Sequence, residues 1–394
     1  MHNGNGAGAG QTGRGQPEFG RIETIDFWRG LVLVIIFINH VPGNIFETFT
    51  PRNFGFSDSA EAFVFISGMS VALAYGGSMS RGDVLGALNK AWRRASLLYV
   101  IHLLLTFTAI ALFANAFVLT GKEIFLLGHG RDVIFDDPSA ALLGIVSLGH
   151  QLGYYNILPL YILLMLCAPF ILLAAWRSPM TTLTVSFVIY AIAQAPQVNL
   201  PSWPVPGLWF LNPFAWQLAF VIGVVTVVVM RRSGDALPGF RWLTAICALL
   251  VVAGIVLTTN CFGYRPGLFD AARALGGFDK TDMNVMRLAH FLALAYLLAR
   301  FRVGDGLMRI PAVGSSLALM GRHGLAVFAL GSVLSSAGQI FATMTEDMRL
   351  SGTTLTGLAV VPAGIMCLYW LARYLAGPAT VAGAAQSGPA VARA

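Results

Sequence analysis

Arg29 and His40 are the two side chains of the first apolar segment that could take part in a reaction. The ten residues between them carry no charge. In a helix, the eleven steps from one to the other rise about 16 Å in three turns, so both side chains lie on one face. A neutral imidazole can take a proton from a hydroxyl, and a guanidinium can bind a phosphate. The spacing predicts a general base and an anion-binding arginine at different depths, although His40 could instead form only an interhelical hydrogen bond.

Two carboxylates, Asp58 and Glu61, stand at the start of the second apolar segment. Residues three positions apart share a helical face, and a carboxylate beside His40 would fix its tautomer and stabilise the imidazolium. Asp58 lies between two serines, a pattern that is also typical of a helix N-cap, so Glu61 is the stronger candidate. We predict a catalytic group that consists of His40, Glu61, Asp58 and Arg29.

Lys90, Arg93 and Arg94 open the third apolar segment. Such a cluster is expected from the excess of basic residues in cytoplasmic loops and from contact with anionic lipid. It could also bind the phosphates of a nucleotide-bearing donor, with Arg29 as a deeper partner. The first interpretation assigns the cluster to topology, and the second predicts a donor site of Arg29, Arg93, Arg94 and Lys90.

Further polar residues interrupt the apolar stretches. Ionisable side chains cost about 2.5 to 3.5 kcal/mol inside a bilayer, so they are functional candidates by default. The candidates for substrate binding, each of which could instead tie helices together, are Asn39, Asn156, Tyr161, Gln217, Arg322 and His323. His102 and His290 are expected to pack among apolar residues. His129 and His150 lie in an outer loop and are expected to be solvated.

The composition indicates that membrane helices position these side chains. Of 394 residues, 56% are hydrophobic and 11% are charged, which excludes an ordinary soluble enzyme. The apolar runs are continuous rather than alternating, so they favour helices over a closed barrel. We predict an all-α, polytopic membrane protein of about ten transmembrane helices. The predicted segments are 28–46, 60–77, 95–119, 154–174, 180–195, 213–230, 242–260, 284–300, 323–342 and 354–376.

The loops alternate in charge, and this alternation predicts the orientation. Basic residues gather in the N-terminal tail, between segments two and three, and in alternate later connections. We expect both termini in the cytoplasm, so the net charge of +7 reflects topology rather than binding of nucleic acid. The predicted parts are a flexible cytoplasmic tail (1–20), a membrane domain (21–376) with outer loops 120–153 and 261–283, and a flexible C-terminal tail (377–394).

The four cysteines give no indication of a metal site. Each lies singly in or beside an apolar segment, without the paired spacing of a zinc knuckle. We expect them to pack as small apolar residues and predict no metal. The chain also has no phosphate-binding glycine loop followed by lysine and serine or threonine.

Five stretches, taken in order, carry a resemblance to a known family: RIETIDFWRGLVLVIIFINHVPG, FGFSDSAEAFVFISG, NILPLYILLMLCAPF, FLNPFAWQLAFVIG and MGRHGLAVFALGSVLS. They resemble the OpgC family of bacterial inner-membrane proteins over residues 21–376. That family is part of a wider group of integral-membrane acyltransferases, whose first helix carries an arginine and a histidine separated by ten residues. Arg29 and His40 fit that pattern. The wider group has two donor-binding arginines two positions apart near the third helix, whereas Arg93 and Arg94 are adjacent.

The resemblance implies a multi-pass transferase of the bacterial inner membrane with ten helices. It would take an acyl group, succinyl in OpgC itself, from acyl-CoA on the cytoplasmic side to a hydroxyl of a periplasmic osmoregulated glucan. A succinyl carboxylate would need a cationic partner, for which Arg322 and Arg287 are candidates. One alternative is the same chemistry on another acceptor, such as lipopolysaccharide or a secreted polysaccharide. Another is a transporter or flippase that moves a glycan or lipid-linked substrate unchanged, although the chain has no detectable repeated halves.

Overall fold

The computed structural model describes residues 22–196, 198–233, 239–259, 278–346 and 352–386, and most of them are helical. This agrees with the predicted all-α class. The helices are α1 (Glu23–Asn39), α2 (Ser59–Ser80), α3 (Val84–Thr120), α4 (Asp132–Asp136), α5 (Pro138–Val146), α6 (Ile157–Arg177), α7 (Pro179–Ala193), α8 (Pro213–Ser233), α9 (Arg241–Thr259), α10 (Val285–Arg300), α11 (Val303–Met308), α12 (Val313–Arg322), α13 (Gly324–Glu346) and α14 (Gly352–Gln386). Two-residue strands β1 (Pro201–Ser202) and β2 (Gly207–Leu208) pair in an antiparallel hairpin.

Seven of the described helices are long and apolar enough to cross a membrane, namely α2, α3, α6, α8, α9, α13 and α14. The other three predicted segments are helical but shorter, with 17 residues in α1, 15 in α7 and 16 in α10. Helices of this length rise about 23 to 26 Å, less than the roughly 30 Å of a hydrocarbon core. The described residues therefore support seven candidate spans, and the number of ten and the orientation of the termini stay predictions.

Helix α1 ends at Asn39, earlier than the predicted end at residue 46. Pro42 disfavours helical backbone in the residue before it, and Gly43 adopts a left-handed φ of 73°. The chain continues in two 3₁₀ turns, Ile45–Phe49 and Pro51–Asn53. His40 is consequently the first residue beyond the helix rather than a residue inside it.

Helix α3 begins at Val84, earlier than the predicted start at residue 95. Asp83 caps it, since its Oδ1 accepts a hydrogen bond from the backbone N–H of Gly86 at 2.8 Å. The basic cluster at residues 90–94 therefore lies on a helix, where neighbouring side chains point in different directions. Gly121 ends the helix with a left-handed φ of 69°.

The core forms where α2 packs on α8, α1 on α12, α3 on α6, and α13 on α14. Its largest fully buried side chains include Trp216, Phe220 and Phe37. Helices approach closely at glycines, as is common in membrane bundles. A Cβ on Gly68 of α2 would lie 2.0 Å from the carbonyl oxygen of Phe220 on α8. This close packing holds α1 and α2 side by side with α6, α12 and α13.

The predicted outer loop 120–153 contains only short helices, a 3₁₀ turn at Glu123–Phe125 followed by α4 and α5. Of the other predicted loop, 261–283, residues 278–283 are described and the rest lies outside the described residues, as does the tail 1–20. Helix α14 breaks at Gly377, which has φ 70° and ψ 166°. That break falls at the predicted start of the C-terminal tail, although helical backbone resumes as far as Gln386.

Candidate active site

Arg29 joins three helices at one end of α1, called here the Arg29 end. Its Nη1 donates to Asp26 Oδ1 at 3.0 Å and to the carbonyl oxygen of Gly321 on α12 at 3.1 Å. Its Nη2 donates to the hydroxyl of Ser70 on α2. The helices touch at this level, since a Cβ on Gly321 would lie 1.8 Å from the carbonyl oxygen of Asp26. Arg29 is therefore fixed in place, while 23% of its side chain stays exposed.

A cavity of about 740 Å³ opens beside Arg29. Apolar side chains from α1, α2, α3, α6 and α13 form most of its wall. Its polar lining consists of Asp26, Arg29, Ser67, Ser70, Tyr75, Arg94, Tyr161, Arg322 and His323. Three arginines against one carboxylate give this lining a positive balance, which suits an anionic ligand.

Arg94 is the part of the predicted donor cluster that α3 turns toward the cavity. It is half-buried and, within the described part of the chain, makes no hydrogen bond or ion pair. It acts electrostatically on Tyr75, which also lines the cavity. A cation without a partner at a cavity wall is available to an incoming anion.

Arg93 and Lys90 lie outside the cavity, on exposed parts of α3. Lys90 Nζ donates to the hydroxyl of Ser78 on α2 at 3.2 Å. The structure thus brings Arg29 and Arg94 together and separates them from the other two residues of the predicted donor site. For Arg93 and Lys90 the other interpretation remains, in which basic residues of a cytoplasmic loop set the orientation of the protein and contact anionic lipid.

Arg322 and His323 lie where α12 ends and α13 begins, and both line the cavity. Arg322 Nη2 donates to Glu23 Oε1 at 2.8 Å, whereas its buried Nε has no hydrogen-bond partner among the described residues. Tyr161 of α6 lines the same cavity. Three of the predicted substrate-binding residues therefore meet at the Arg29 end.

Aromatic rings form the deep end of the cavity. The Phe63 ring contacts Tyr161 edge to face, with ring centroids 5.7 Å apart, and lies 6.1 Å from the Phe328 ring. Phe63 and Phe328 are buried. Along α2, the seven residues from Ser70 to Phe63 rise about 10 Å. The cavity thus extends partway along α1 toward His40, and His40 is not in its lining.

His40 lies at the opposite end of α1, called here the His40 end, about 16 Å along the helix axis from Arg29. Its carbonyl oxygen accepts a hydrogen bond from Gln339 Nε2 at 2.9 Å. Its imidazole packs against the Tyr154 ring, with centroids 4.8 Å apart. Within the described residues, neither ring nitrogen has a hydrogen-bond partner, and the residue is partly exposed. A nitrogen of this ring can therefore accept a proton from a ligand.

The two predicted carboxylates lie in a network of ion pairs instead of in a hydrogen bond to His40. Glu61 is fully buried, and its Oε1 lies 2.5 Å from Arg287 Nη2. Asp58 Oδ2 accepts from Lys280 Nζ at 2.7 Å. Asp58 and Glu61 also form a capping box at the start of α2, as Asp58 Oδ1 accepts from Ala60 N–H and Glu61 Oε2 accepts from Asp58 N–H. The N-cap expected for Asp58 is confirmed.

Charge holds Asp58 in its ionised form. Burial raises the pKa of the Asp58 carboxyl, but Lys280 and then Arg287 lower that pKa further, so it lies below its ordinary value. Asp58 and Lys280 are close enough to act electrostatically on His40, as is Arg52. The imidazole therefore lies in the field of two residues of this network, Asp58 and Lys280, and of Arg52, which pairs with Glu47. None of these residues hydrogen-bonds its ring.

The remaining predicted substrate-binding residues are spread over the fold. Asn39 adjoins His40, and its buried Oδ1 has no hydrogen-bond partner among the described residues. Asn156 precedes α6 and is half-buried without a hydrogen bond in the described part of the chain. Gln217 links α8 to α7, because its Oε1 accepts from Ser186 Oγ at 2.6 Å and its Nε2 donates to Ser186 O at 2.8 Å. Gln217 thus ties helices together, the alternative that the sequence left open.

Several residues of the site carry no distinctive sequence signal. Asp26 precedes Arg29 by three positions, a helical pairing that the sequence does contain. Ser70, Tyr75 and Tyr154 are common residue types in apolar surroundings, and only the packing of α2, α3 and the outer loop brings them to the site. His150 was expected to be solvated, but it is buried, and its Nε2 hydrogen-bonds to Gly130 O at 2.8 Å.

Comparison with known proteins supplies one independent finding. A protein-family model described as OpgC protein matches residues 21–377. This range includes all of the candidate site residues, and it confirms the resemblance drawn from the five sequence stretches. No curated protein and no solved structure matches the chain.

Proposed function

The chain belongs to the OpgC family, and on that premise we propose that it is a membrane O-acyltransferase. It moves an acyl group, succinyl in our proposal, from acyl-CoA to a hydroxyl of a periplasmic glucan or another glycan outside the cytoplasm. The family suggests glucan modification by acyl transfer, and the donor and acceptor are our inference. The protein acts as a multi-pass protein of the bacterial inner membrane.

The observation that carries this proposal is the arrangement along α1. An arginine-lined cavity opens at the Arg29 end. At the His40 end lies a partly exposed imidazole, to which no side chain among the described residues is hydrogen-bonded. About 16 Å of helix separates the two. This separation suits a donor that carries its anionic groups at one end and its reactive thioester at the end of a long flexible arm.

The donor phosphates bind at the Arg29 end in this proposal. Arg94 supplies the cation that has no partner among the described residues, and Arg29 and Arg322 add positive charge. Arginine forms paired hydrogen bonds with phosphate oxygens. By the alternation of loop charge this end faces the cytoplasm, where acyl-CoA is made.

The transfer step takes place at the His40 end. His40 accepts the proton of the glycan hydroxyl while its oxygen attacks the thioester carbonyl. The carbon–sulfur bond breaks, and the imidazolium returns the proton to the departing thiolate, so the products are acylated glycan and free coenzyme A. Burial of the ring, and then the positive charge of Lys280, favour the neutral imidazole that this step needs, with a smaller contribution from Arg52.

For the carboxylate of a succinyl group, Arg287 is the nearer of the two candidate partners. That carboxylate is only a few bonds from the thioester carbonyl, so it lies at the His40 end, where Arg287 contacts Asp58 and Glu61. Arg322 lies at the Arg29 end with the donor phosphates. A variant such as Arg322→Gln should therefore affect use of succinyl-CoA and acetyl-CoA alike.

The decisive experiment compares the wild type with His40→Ala, both purified in detergent, in the presence of succinyl-CoA and a glucan oligosaccharide. Wild-type protein should release free coenzyme A and increase the mass of the glucan by one succinyl group. Removal of a general base should lower this rate by about 10² to 10⁴. Binding of succinyl-CoA should persist in His40→Ala, since the cavity is distant.

A transporter or flippase would consume no thioester. Glucan-dependent release of coenzyme A therefore separates the proposal from that alternative. Transfer at the wild-type rate by His40→Ala would overturn the assignment of His40, and the absence of any glucan-dependent thioester consumption would overturn the acyltransferase itself.

A further inference from the structure

Tyr154 contacts two imidazoles at the His40 end. Its ring centroid lies 4.8 Å from that of His40, with the planes tilted by 56°, and 5.0 Å from that of His129, with a tilt of 48°. Both distances fall within the range of direct aromatic contact. The segment between α3 and α6, which carries His129 and Tyr154, thereby reaches the residue proposed as general base. This segment is called the loop below.

The backbone of this loop adopts unusual conformations where it holds these rings. Tyr154 has a φ of 72° and His129 a φ of 54°, both in the left-handed region that residues with a Cβ rarely enter. Gly153 N–H donates to the carbonyl oxygen of His129 at 2.9 Å. A Cβ on Gly153 would lie 2.7 Å from His129 Nδ1. Left-handed residues persist only where the surrounding structure holds them, and they often mark functional positions.

The loop is anchored on both sides of the contact. Arg131 donates to the carbonyl oxygens of Phe125 and Leu127, each at 2.9 Å, and its guanidinium lies 3.9 Å from the ring centroid of Phe113 on α3. On the other side, the Tyr155 hydroxyl donates to Ser332 O on α13 at 3.0 Å. Tyr154 therefore has little freedom to move away from His40.

His40 itself is fixed through its backbone but not through its ring nitrogens. Gln339 of α13 holds its carbonyl oxygen, and no side chain among the described residues hydrogen-bonds its imidazole. Glu61, the sequence candidate for orienting this ring, pairs with Arg287 instead. The Tyr154 ring packs directly on the imidazole and limits its rotation.

We infer that Tyr154 is a positioning residue, whose ring holds the His40 imidazole in the orientation that receives the acceptor proton. His129 supports Tyr154 from the loop side. The role depends on the ring of Tyr154 and not on its hydroxyl. The inference rests on the proposed function, because it takes His40 as the general base.

The test compares Tyr154→Phe, which keeps the ring, with Tyr154→Leu, which removes it, in the full-length protein. Misplacement of a catalytic group by about 1 Å can cost about 10²-fold in rate. For Tyr154→Leu we expect kcat for transfer from succinyl-CoA to a glucan oligosaccharide to fall by about tenfold or more, with the KM for succinyl-CoA within about twofold of wild type. Tyr154→Phe should stay within about twofold of wild type in both parameters.

A second measurement reports the contact without any substrate. Diethyl pyrocarbonate modifies histidine nitrogens, and peptide mass spectrometry gives the rate at each histidine. Loss of the Tyr154 ring should accelerate modification of His40, because the ring covers one side of the imidazole, and Tyr154→Phe should leave the rate unchanged. The buried His150 and His290 serve as internal references in the same sample.

The two measurements separate the possible failures. The inference is overturned if Tyr154→Leu matches the wild type both in kcat and in the rate of His40 modification. It is also overturned if Tyr154→Phe is as impaired as Tyr154→Leu. If His40→Ala transfers at the wild-type rate, the assignment of His40 as general base fails, and the role of Tyr154 in transfer fails with it, whereas the absence of any thioester consumption overturns the proposed function. Loss of transfer in His40→Ala with normal transfer in Tyr154→Leu overturns the positioning role alone.

Discussion

Arg93 and Arg94 are adjacent in sequence but face different surroundings. Arg94 lines the cavity at the Arg29 end, and Arg93 is exposed on the outer side of α3. The difference follows from the helix, which rotates neighbouring positions by about 100°. The two residues have the same charge and the same helix, so they form a matched pair for testing the donor site.

Charge reversal at the two positions should have different effects. We expect Arg94→Glu to raise the Kd for acyl-CoA by about tenfold or more, because a charge-assisted hydrogen bond contributes about 1.5 to 3 kcal/mol. Arg93→Glu should leave the Kd within about twofold. Isothermal titration of the detergent-solubilised proteins with acyl-CoA measures both. Equal loss in the two variants would assign Arg94 to general surface charge.

Glu61 and Arg287 form a buried ion pair, which differs in energy from an exposed one. The Glu61 side chain is 0% exposed and that of Arg287 is 11% exposed. Removal of one partner from a buried pair costs about 3 to 5 kcal/mol, and Asp58 Oδ2, which lies 3.4 Å from Arg287 Nη2, offsets part of that loss. The pair of Arg302 and Asp305 has the same chemistry, but its side chains are 82% and 35% exposed.

Glu61→Gln should therefore destabilise the protein strongly, and Asp305→Asn by less than about 1 kcal/mol. Thermal unfolding in detergent measures both changes. The double variant Glu61→Gln with Arg287→Gln should recover part of the loss, because the guanidinium that Glu61 neutralised is then absent. A double variant that is less stable than both single variants would contradict the pairing.

At the scale of elements, α1 and α12 come into backbone contact beside Arg29. A Cβ on Gly30 would lie 1.9 Å from the carbonyl oxygen of Leu317, and one on Gly321 would lie 1.8 Å from that of Asp26. The contact brings the carbonyl of Gly321 within reach of Arg29. Arg29 therefore reaches this carbonyl because residue 321 of α12 is a glycine, which lets the two helices approach.

We expect Gly321→Ala to separate the two helices and to destabilise the protein by about 1 to 3 kcal/mol, the usual cost of overpacking. It should also weaken binding of acyl-CoA, since Arg29 loses the carbonyl that holds it. Gly306 of α11 has no atom within 4 Å of its built Cβ, so Gly306→Ala is the control. Thermal unfolding and acyl-CoA titration measure the stability and the Kd of both variants. Equal stability and equal Kd in the two variants would contradict the close contact.

The apolar segments, and with them most helix positions, could be predicted from composition, whereas helix ends depended on local chemistry. Asp83 lengthens α3 by capping it before the basic cluster, and Pro42 with Gly43 shortens α1. Helix α12 was missed, because the stretch from Val313 to Arg322 alternates small, polar and apolar residues. That helix supplies Gly321 and Arg322, so part of the cavity could not be foreseen.

Within the site, charge in apolar surroundings singled out Arg29 and Arg94 for donor binding and Arg322 and His323 for substrate binding, and the structure places all four residues at one cavity. The partner of Glu61 could not be deduced, because Arg287 is 226 residues away in sequence and no periodicity links the two. Tyr154 was not predicted either, since its contact with His40 depends on left-handed backbone in the outer loop. Long-range pairing of this kind follows from the fold as a whole.

At the scale of the molecule, the Arg29 end and the segment with α4 and α5 lie at opposite ends of the helices that flank α1. The excess of basic residues predicts that the Arg29 end faces the cytoplasm. Introduced cysteines test this orientation in intact cells, in a variant whose native cysteines are replaced by alanine. Arg93 and Asp136 are suitable positions, because both are exposed.

A membrane-impermeant maleimide should label Arg93→Cys only after the cells are opened, and it should label Asp136→Cys in intact cells. Labelling is measured as an increase in the apparent mass of the protein on a gel. The reverse pattern would invert the topology and would place the arginine-lined cavity on the side without acyl-CoA.

The aromatic contacts of Phe63 with Tyr161 and Phe328 also bear on the route of the donor. These rings line the cavity together with the charged residues of the Arg29 end. In the proposed function the flexible arm of the donor has to pass these apolar rings to reach His40. Because charged groups lose their hydration in apolar surroundings, the rings form a filter that admits the uncharged arm and holds back the phosphates.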